Sequence, residues 1–325
     1  MASIKLARGE PTERGIFMPY VRQMKLKPGM TLSKVSDQMR RSGVLGPRRF
    51  AAAVEILATM FRDHRYTNMM AIAGPMVPGG LRELVSDLVS DRRIHALAMT
   101  GANVTHDLIE ALGHRHEIGV ESSDDRKLQR RGLHRIYDLY VSQQAINALE
   151  KFAYKAVSKI AEEKRRNIAP WELLREIGNQ LHDPASILRN AAQSGVPVFC
   201  PGLHDSMFGI DLWTFGQLKT LYINPMRDFS RIVELTYESK KIGLVILGGG
   251  MPKHFTLLAN TFRGGLDAAV QFTMDRPEPG GLSGAPLDEA VSWGKIKPGS
   301  RTATVIGDAA TLFPMACIAA LEKAA

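Results

Sequence analysis

The sequence predicts an α/β fold: a doubly wound, mostly parallel sheet with helices on both faces and a helical extension at the amino-terminal side. Short continuous apolar runs, each closing in a loop of small residues, recur at 69–75, 94–103, 196–202, 243–250 and 302–308. Amphipathic stretches at 81–89, 107–112, 229–239 and 309–323 follow or separate them. Apolar runs without alternation suit strands buried on both faces, and strand alternating with helix suits parallel winding. The glycines fall at the carboxyl ends of these runs, where such sheets hold ligands.

Residues 1–65 are read as a helical extension packed on the core, and residues 66–325 as the α/β catalytic domain. In the extension, 31–41 and 48–62 carry helical patterns, separated by a capping and turn cluster at 42–47. The stretch 144–182 also reads as helical and polar, an addition to the same sheet. With 45% hydrophobic and 23% charged residues, the composition is that of an ordinary globular chain. No apolar run is long enough to span a membrane, and the first ten residues lack the apolar core of a secretory signal. Cys200 and Cys317 supply neither a disulfide framework nor a metal cluster, so the expected compartment is the cytoplasm. The formal charge of +9 is dispersed. Its densest groups, 126–135 and 164–166, are interleaved with acids and read as solvated helix faces, so nucleic acid is not the expected partner.

Residues 282–297 carry the most chemistry. Asp288, Glu289, Trp293 and Lys295 fall within eight positions. A carboxylate with an aromatic face suits a cationic amine, and Glu289 and Trp293 share a face if that stretch is helical. An apolar, aromatic wall would depress the lysine pKa and prepare Lys295 as a nucleophile that carries a group covalently. Gly248, Gly249 and Gly250 follow a strong strand, where their amides can approach a phosphate. Gly74 and Pro75, Thr100, Gly101 and Ala102, Asp205, and Gly307 with Asp308 close the other runs, and together they point to a nucleotide. His254, just past the glycines, could take a proton from a bound amine. His106 is expected to face the same cleft, whereas His114 and His116 read as surface.

Three segments, Gly248-Gly-Gly-Met-Pro-Lys-His254, Asp288-Glu-Ala-Val-Ser-Trp-Gly-Lys-Ile296 and Gly307-Asp-Ala-Ala-Thr-Leu-Phe-Pro314, resemble deoxyhypusine synthase. The likeness continues in Thr100-Gly-Ala-Asn-Val-Thr-His-Asp-Leu108, Pro197-Val-Phe-Cys-Pro-Gly-Leu-His-Asp205 and Lys27-Pro-Gly-Met-Thr31, and covers roughly residues 25 to 322. It implies a homotetramer of Rossmann-like, sirtuin-like subunits with active sites shared between paired chains. It further implies that NAD oxidises spermidine, 1,3-diaminopropane leaves, and Lys295 carries the butylimine. A lysine of the hypusine-bearing translation factor then receives it, and the retained NADH reduces it. By the same resemblance His254 is the base, and Glu289 and Trp293 touch the polyamine, with Asp288, Gly281 and Leu282 beside them. The matching NAD contacts are Gly74, Pro75, Met76, Val77, Pro78, Thr100, Gly101, Ala102, Asp205, Gly248, Gly249, Gly250, Ser283, Asp308 and Ala309.

Where the family carries acids that grip the amine, this chain has Leu282, His106 and Ile210, with Asp211 one residue later. Redox chemistry on an amine is therefore better supported than spermidine in particular. The alternatives are a homospermidine synthase-like enzyme with putrescine as acceptor, and a non-catalytic NAD-binding scaffold.

Overall fold

The computed structural model describes residues 20–325, so the first ten residues and the start of the helical extension lie outside the described residues. Its strands are β1 (Tyr66–Ile72), β2 (Ala96–Met99), β3 (Glu117–Ile118), β4 (Leu133–Ile136), β5 (Leu139–Ser142), β6 (Val198–Phe199), β7 (Lys241–Leu247), β8 (Leu266–Thr273) and β9 (Ile296–Ile306). Six of them form one sheet in the order β6-β2-β1-β7-β8-β9, with every pairing parallel. Numbered within that sheet the order is 3-2-1-4-5-6, so the winding reverses between β1 and β7. A crevice opens at such a reversal, outside the carboxyl ends of the strands.

Burial on both faces follows from the strand period. Met70 and Ile72 of β1 and Val245 and Leu247 of β7 join one apolar cluster, while Met69, Ala71, Leu244 and Ile246 join the cluster on the opposite face. Each such side chain contributes roughly 1.5–3 kcal/mol when fully buried. Helices Leu45–Arg62, Arg82–Ser90, Gln143–Ser158 and Ala309–Ala324 cover the first face, and Pro225–Glu238 and Gly250–Ala259 the second. Among the described residues no helix is long and apolar enough to cross a membrane.

The five apolar runs contain β2 and β6 whole and the carboxyl-terminal parts of β1, β7 and β9. The sixth strand, β8, escapes a reading by apolar runs because Asp267 and Gln271 interrupt it. Both are satisfied from outside the strand: Asp267 accepts from Lys297 Nζ at 2.6 Å, Ile242 N at 2.8 Å and the Arg263 guanidinium at 3.0 Å. β3, β4 and β5 form a small antiparallel sheet that brackets the basic segment 126–135; of that segment, read as a helix face, 126–130 is helix and 133–135 belongs to β4. Arg165 departs from a solvated face as well: it is 8% exposed, and its Nε donates to Ile160 O at 2.9 Å.

Near the amino-terminal side, Gly43 ends helix Leu32–Ser42 in the left-handed region, but the next helix already starts at Leu45. Pro47 is tolerated there because the first turn leaves its N–H positions unpaired anyway. Both helices lie against the last one. Lys323 Nζ reaches Asp37 at 2.7 Å and Glu55 at 3.1 Å, and Ser33 N donates to Glu322 at 2.8 Å.

Candidate active site

Lys295 sits in the turn that leads into β9. Gly294 takes φ 67°, a left-handed value that favours glycine. The Lys295 backbone is held on both sides, its N–H donating to Ala290 O at 3.0 Å and its carbonyl accepting from Leu266 N at 3.1 Å. The side chain is thereby aimed at the helix that follows the glycine loop: Lys295 Nζ lies 3.4 Å from His254 Nε2 and 5.1 Å from the centre of the Trp293 ring. Burial first, and the Lys295 charge second, hold His254 below the ordinary imidazole range. At neutral pH it is an unprotonated base, and a donor on Lys295 assigns its own proton to Nδ1.

These groups line a pocket of about 280 Å³ together with Lys253, Leu257, Leu282, Ala285 and Glu289. Lys295, His254, Glu289, Trp293 and Leu282 thus converge as the sequence suggested. The helix at Glu289–Ser292 is a single turn and Trp293 caps it, so the two reach the pocket through that turn rather than along a helix face. The aromatic wall is open, with Trp293 67% exposed. Gly280, not Gly281, lines the pocket. Asp288 is engaged elsewhere, accepting from Thr302 Oγ1 at 2.6 Å.

Lys253 is the residue that the sequence reading passed over. It lines the same pocket, but its Nζ donates to Gln271 Oε1, Leu282 O and Ala285 O at 3.0, 2.9 and 2.8 Å. All three ammonium protons are committed. Of the two lysines in the pocket, only Lys295 is available as a nucleophile.

At the winding reversal the glycine loops meet. A Cβ on Gly248 would stand 2.8 Å from Ala73 O, and one on Gly249 would stand 2.5 Å from Ser283 Cα. Gly250 N donates to Ser283 Oγ at 2.9 Å and opens helix Gly250–Ala259. Asn103, also missed, joins two loops: its Nδ2 donates to Gly74 O at 2.8 Å and its Oδ1 accepts from Val77 N at 3.0 Å. Its position just inside a helix capped by Thr100 was the available signal. Pro75, Met76 and Pro78 lie on this first loop, and Gly101 approaches Ser206 so closely that a Cβ would stand 2.7 Å from it. Val77 and Ala309 are buried, so only their backbones can face a ligand. Asp308 caps the last helix, accepting from Ala310 N and Thr311 N at 3.2 and 2.9 Å. Its hydrogen bond from Thr311 holds the carboxyl below the usual range.

Ala102, His106 and Asp205 line a second cavity of about 470 Å³ with His134, Met207 and Ile210. One chain therefore presents the lysine pocket and this cavity as separate sets of walls. His116 is not a surface residue, since its side chain is 6% exposed. Its Nδ1 meets Glu110 Oε1 at 2.7 Å and its Nε2 meets His106 Nδ1 at 2.9 Å. Glu110 is held below its usual range, chiefly by the His116 hydrogen bond, and so accepts. The protons then line up along the chain and leave His106 Nε2 as a bare acceptor. Burial first, and then repulsion from His116 whenever that ring is protonated, push His106 down to about 4, so the cavity sees a neutral ring.

Asp211 does not reach that cavity. It is 6% exposed, on the buried side of helix Met207–Leu218, and its Oδ2 lacks a partner among the described residues, while Ile210 takes the cavity side. Burial first, then Glu150, push its carboxyl up to about 7. A raised carboxyl binds more protons folded than unfolded, so its contribution is present below about pH 4 and is lost as pH rises towards 7. Asp211→Asn is expected to stabilise the protein at pH 8 by on the order of 2–4 kcal/mol and to be near neutral at pH 4. Urea unfolding at the two pH values checks this.

Comparison with known proteins identifies the family and the fold. The family model described as deoxyhypusine synthase matches residues 34–320. A protein of Methanothermobacter thermautotrophicus named probable deoxyhypusine synthase is 43% identical over 93% of this chain and 98% of its own length. One of Methanosarcina acetivorans, named probable deoxyhypusine synthase 1, is 37% identical over 94% of this chain and 95% of its own. A crystal structure of an Entamoeba histolytica protein superposes with TM-score 0.64 at 18% identity. It covers 90% of this chain and 94% of that one, and shares the fold. With its lysine–histidine pocket beside a sheet of order 3-2-1-4-5-6, the chain belongs to the deoxyhypusine synthase family of aminobutyl-transferring enzymes.

Proposed function

We propose that the chain uses NAD to cleave spermidine and transfers the aminobutyl group through Lys295 to one lysine of the hypusine-bearing translation factor. The observation that carries this is the Lys295–His254 pair, 3.4 Å apart in a pocket that also holds Glu289 and Trp293. NAD would accept the hydride that oxidation of the amine releases. His254, neutral at pH 7, takes the proton from the secondary amine and can relieve Lys295 of its own. The free Nζ then adds to the oxidised carbon, 1,3-diaminopropane leaves, and the imine passes to the factor's lysine, where the hydride held by the cofactor would return to reduce it. Among the described residues Glu289 supplies the one carboxylate lining this pocket, and Trp293 a cation-binding face.

The glycine loops fit the cofactor. Gly249 leaves no room for a side chain, and Gly250 places a helix N-terminus at the sheet reversal, which suits a pyrophosphate. Asp205, Thr100 and the loop from Gly74 to Pro78 would complete its contacts. Two separate half-sites on one chain suit a site shared between paired chains, and the family resemblance is what supports a homotetramer as the working form, acting in the cytoplasm. Gly249→Ala, whose Cβ would meet Ser283, is expected to weaken NAD binding about 10- to 100-fold without preventing folding. Fluorescence titration with NAD measures it.

The neutral lining at Leu282, His106 and Ile210 is a specific reason to test the acceptor as well. With NAD and spermidine, release of 1,3-diaminopropane followed by label transfer to the factor supports the proposal. Transfer to putrescine alone would assign the homospermidine synthase-like reading. NAD binding without any diaminopropane would overturn both in favour of a scaffold.

A further inference from the structure

Lys253 is 2% exposed and among the described residues has no carboxylate within ion-pair distance. Burying an ammonium costs several kcal/mol unless its protons are all bonded. Here they are, to Leu282 O, Ala285 O and Gln271 Oε1. Gln271 continues the network from inside β8, its Nε2 donating to Ser283 O at 2.7 Å and Gly248 O at 2.9 Å. Ser283 Oγ closes it by accepting from Gly250 N. One buried cation thus joins the helix that carries His254, the connector 274–288 that walls the lysine pocket, and the glycine loop.

We infer that Lys253 is a positioning residue: its ammonium fixes the connector so that the pocket wall and the glycine loop are held in register with His254. This rests on reading the pocket as the amine site and the loop as the NAD site. Loss of one proton leaves a neutral amine with two donors for three acceptors, so one of the three tethers to the connector and Gln271 is released. Burial lowers the Lys253 pKa to about 8, against Glu289 and Asp275, which favour the charged form. The titratable groups facing it are those two carboxylates, His254 on its own helix and Lys295 before β9.

The test is Lys253→Met, with hydrogen exchange of the 276–287 amides and steady-state kinetics on spermidine. The variant is expected to lose about tenfold protection in that segment while the β7 and β8 amides keep theirs. The spermidine KM is expected to rise about tenfold, with a smaller change in kcat. In the wild type, KM rises above about pH 8 and protection, corrected for intrinsic rate, falls in parallel. The variant is flat over that range. Wild-type protection and wild-type KM in Lys253→Met would overturn the inference. Should the wild type not turn over spermidine, the exchange data still decide the role of Lys253, and the failure belongs to the functional reading. Where Lys253→Met does not fold, Gln271→Leu replaces it, with the same loss of protection expected and unchanged protection counting against.

Discussion

Lys295→Arg is expected to fold, bind amine with a nearly unchanged KM, and lose transfer by at least roughly 10³-fold in kcat. The guanidinium keeps the positive charge over Trp293, so the cation–π contact and the local field survive. It stays protonated at every accessible pH and cannot add to an oxidised amine. Lys253 cannot stand in, because its three protons are engaged with Gln271, Leu282 and Ala285. The pairing of a retained KM with a lost kcat separates a covalent carrier from a residue that merely attracts or repels substrate. Steady-state kinetics on spermidine, with NAD saturating, supplies both numbers.

His254→Gln is expected to lower kcat/KM by roughly 10²–10⁴-fold. The amide preserves a polar contact with Lys295 Nζ but cannot carry the proton away. The pH profile gives the sharper signature. Burial and Lys295 hold the His254 pKa below its ordinary value, so in the wild type the base is lost only as pH falls below about 6.5. That acid limb of kcat/KM is expected to vanish in the glutamine variant, leaving a flat low rate. An unchanged limb in His254→Gln would place the base elsewhere.

The lysine pocket was legible because its central groups are close in sequence. Glu289, Trp293 and Lys295 fall within one tight reversal, and their chemistry is recognisable from type and spacing. Residues whose roles depend on distant partners were not. Lys253 bonds carbonyls 29 and 32 positions on, and nothing in its neighbourhood announces them. Asp211 and Ile210 are adjacent, but neighbouring helix positions point about 100° apart, and the cavity side fell to the isoleucine. Asp288 beside Glu289 was indistinguishable in type, and only the approach of Thr302 on β9 shows it turned away. His116 looked like part of a polar surface run until the fold placed it between His106 and Glu110.

Much the same holds for the sheet. β1, β2 and β7 announce themselves by apolar stretches that end in small residues, whereas β9 is polar in its first half and alternates in its second, where Ala303 and Val305 are the buried positions. β8 carries the same burial but includes Asp267 and Gln271, each with its hydrogen bonds met from another element. Periodicity reads burial well and reads satisfied buried polarity poorly.

The central claim is that Lys295 is the covalent carrier. Incubation with NAD and spermidine, reduction with borohydride and peptide mass analysis tests it most directly. The account predicts one aminobutyl group on the peptide containing Lys295, dependent on NAD and absent from Lys295→Arg. An adduct on Lys253, or a turning-over enzyme with no adduct at Lys295, would contradict it.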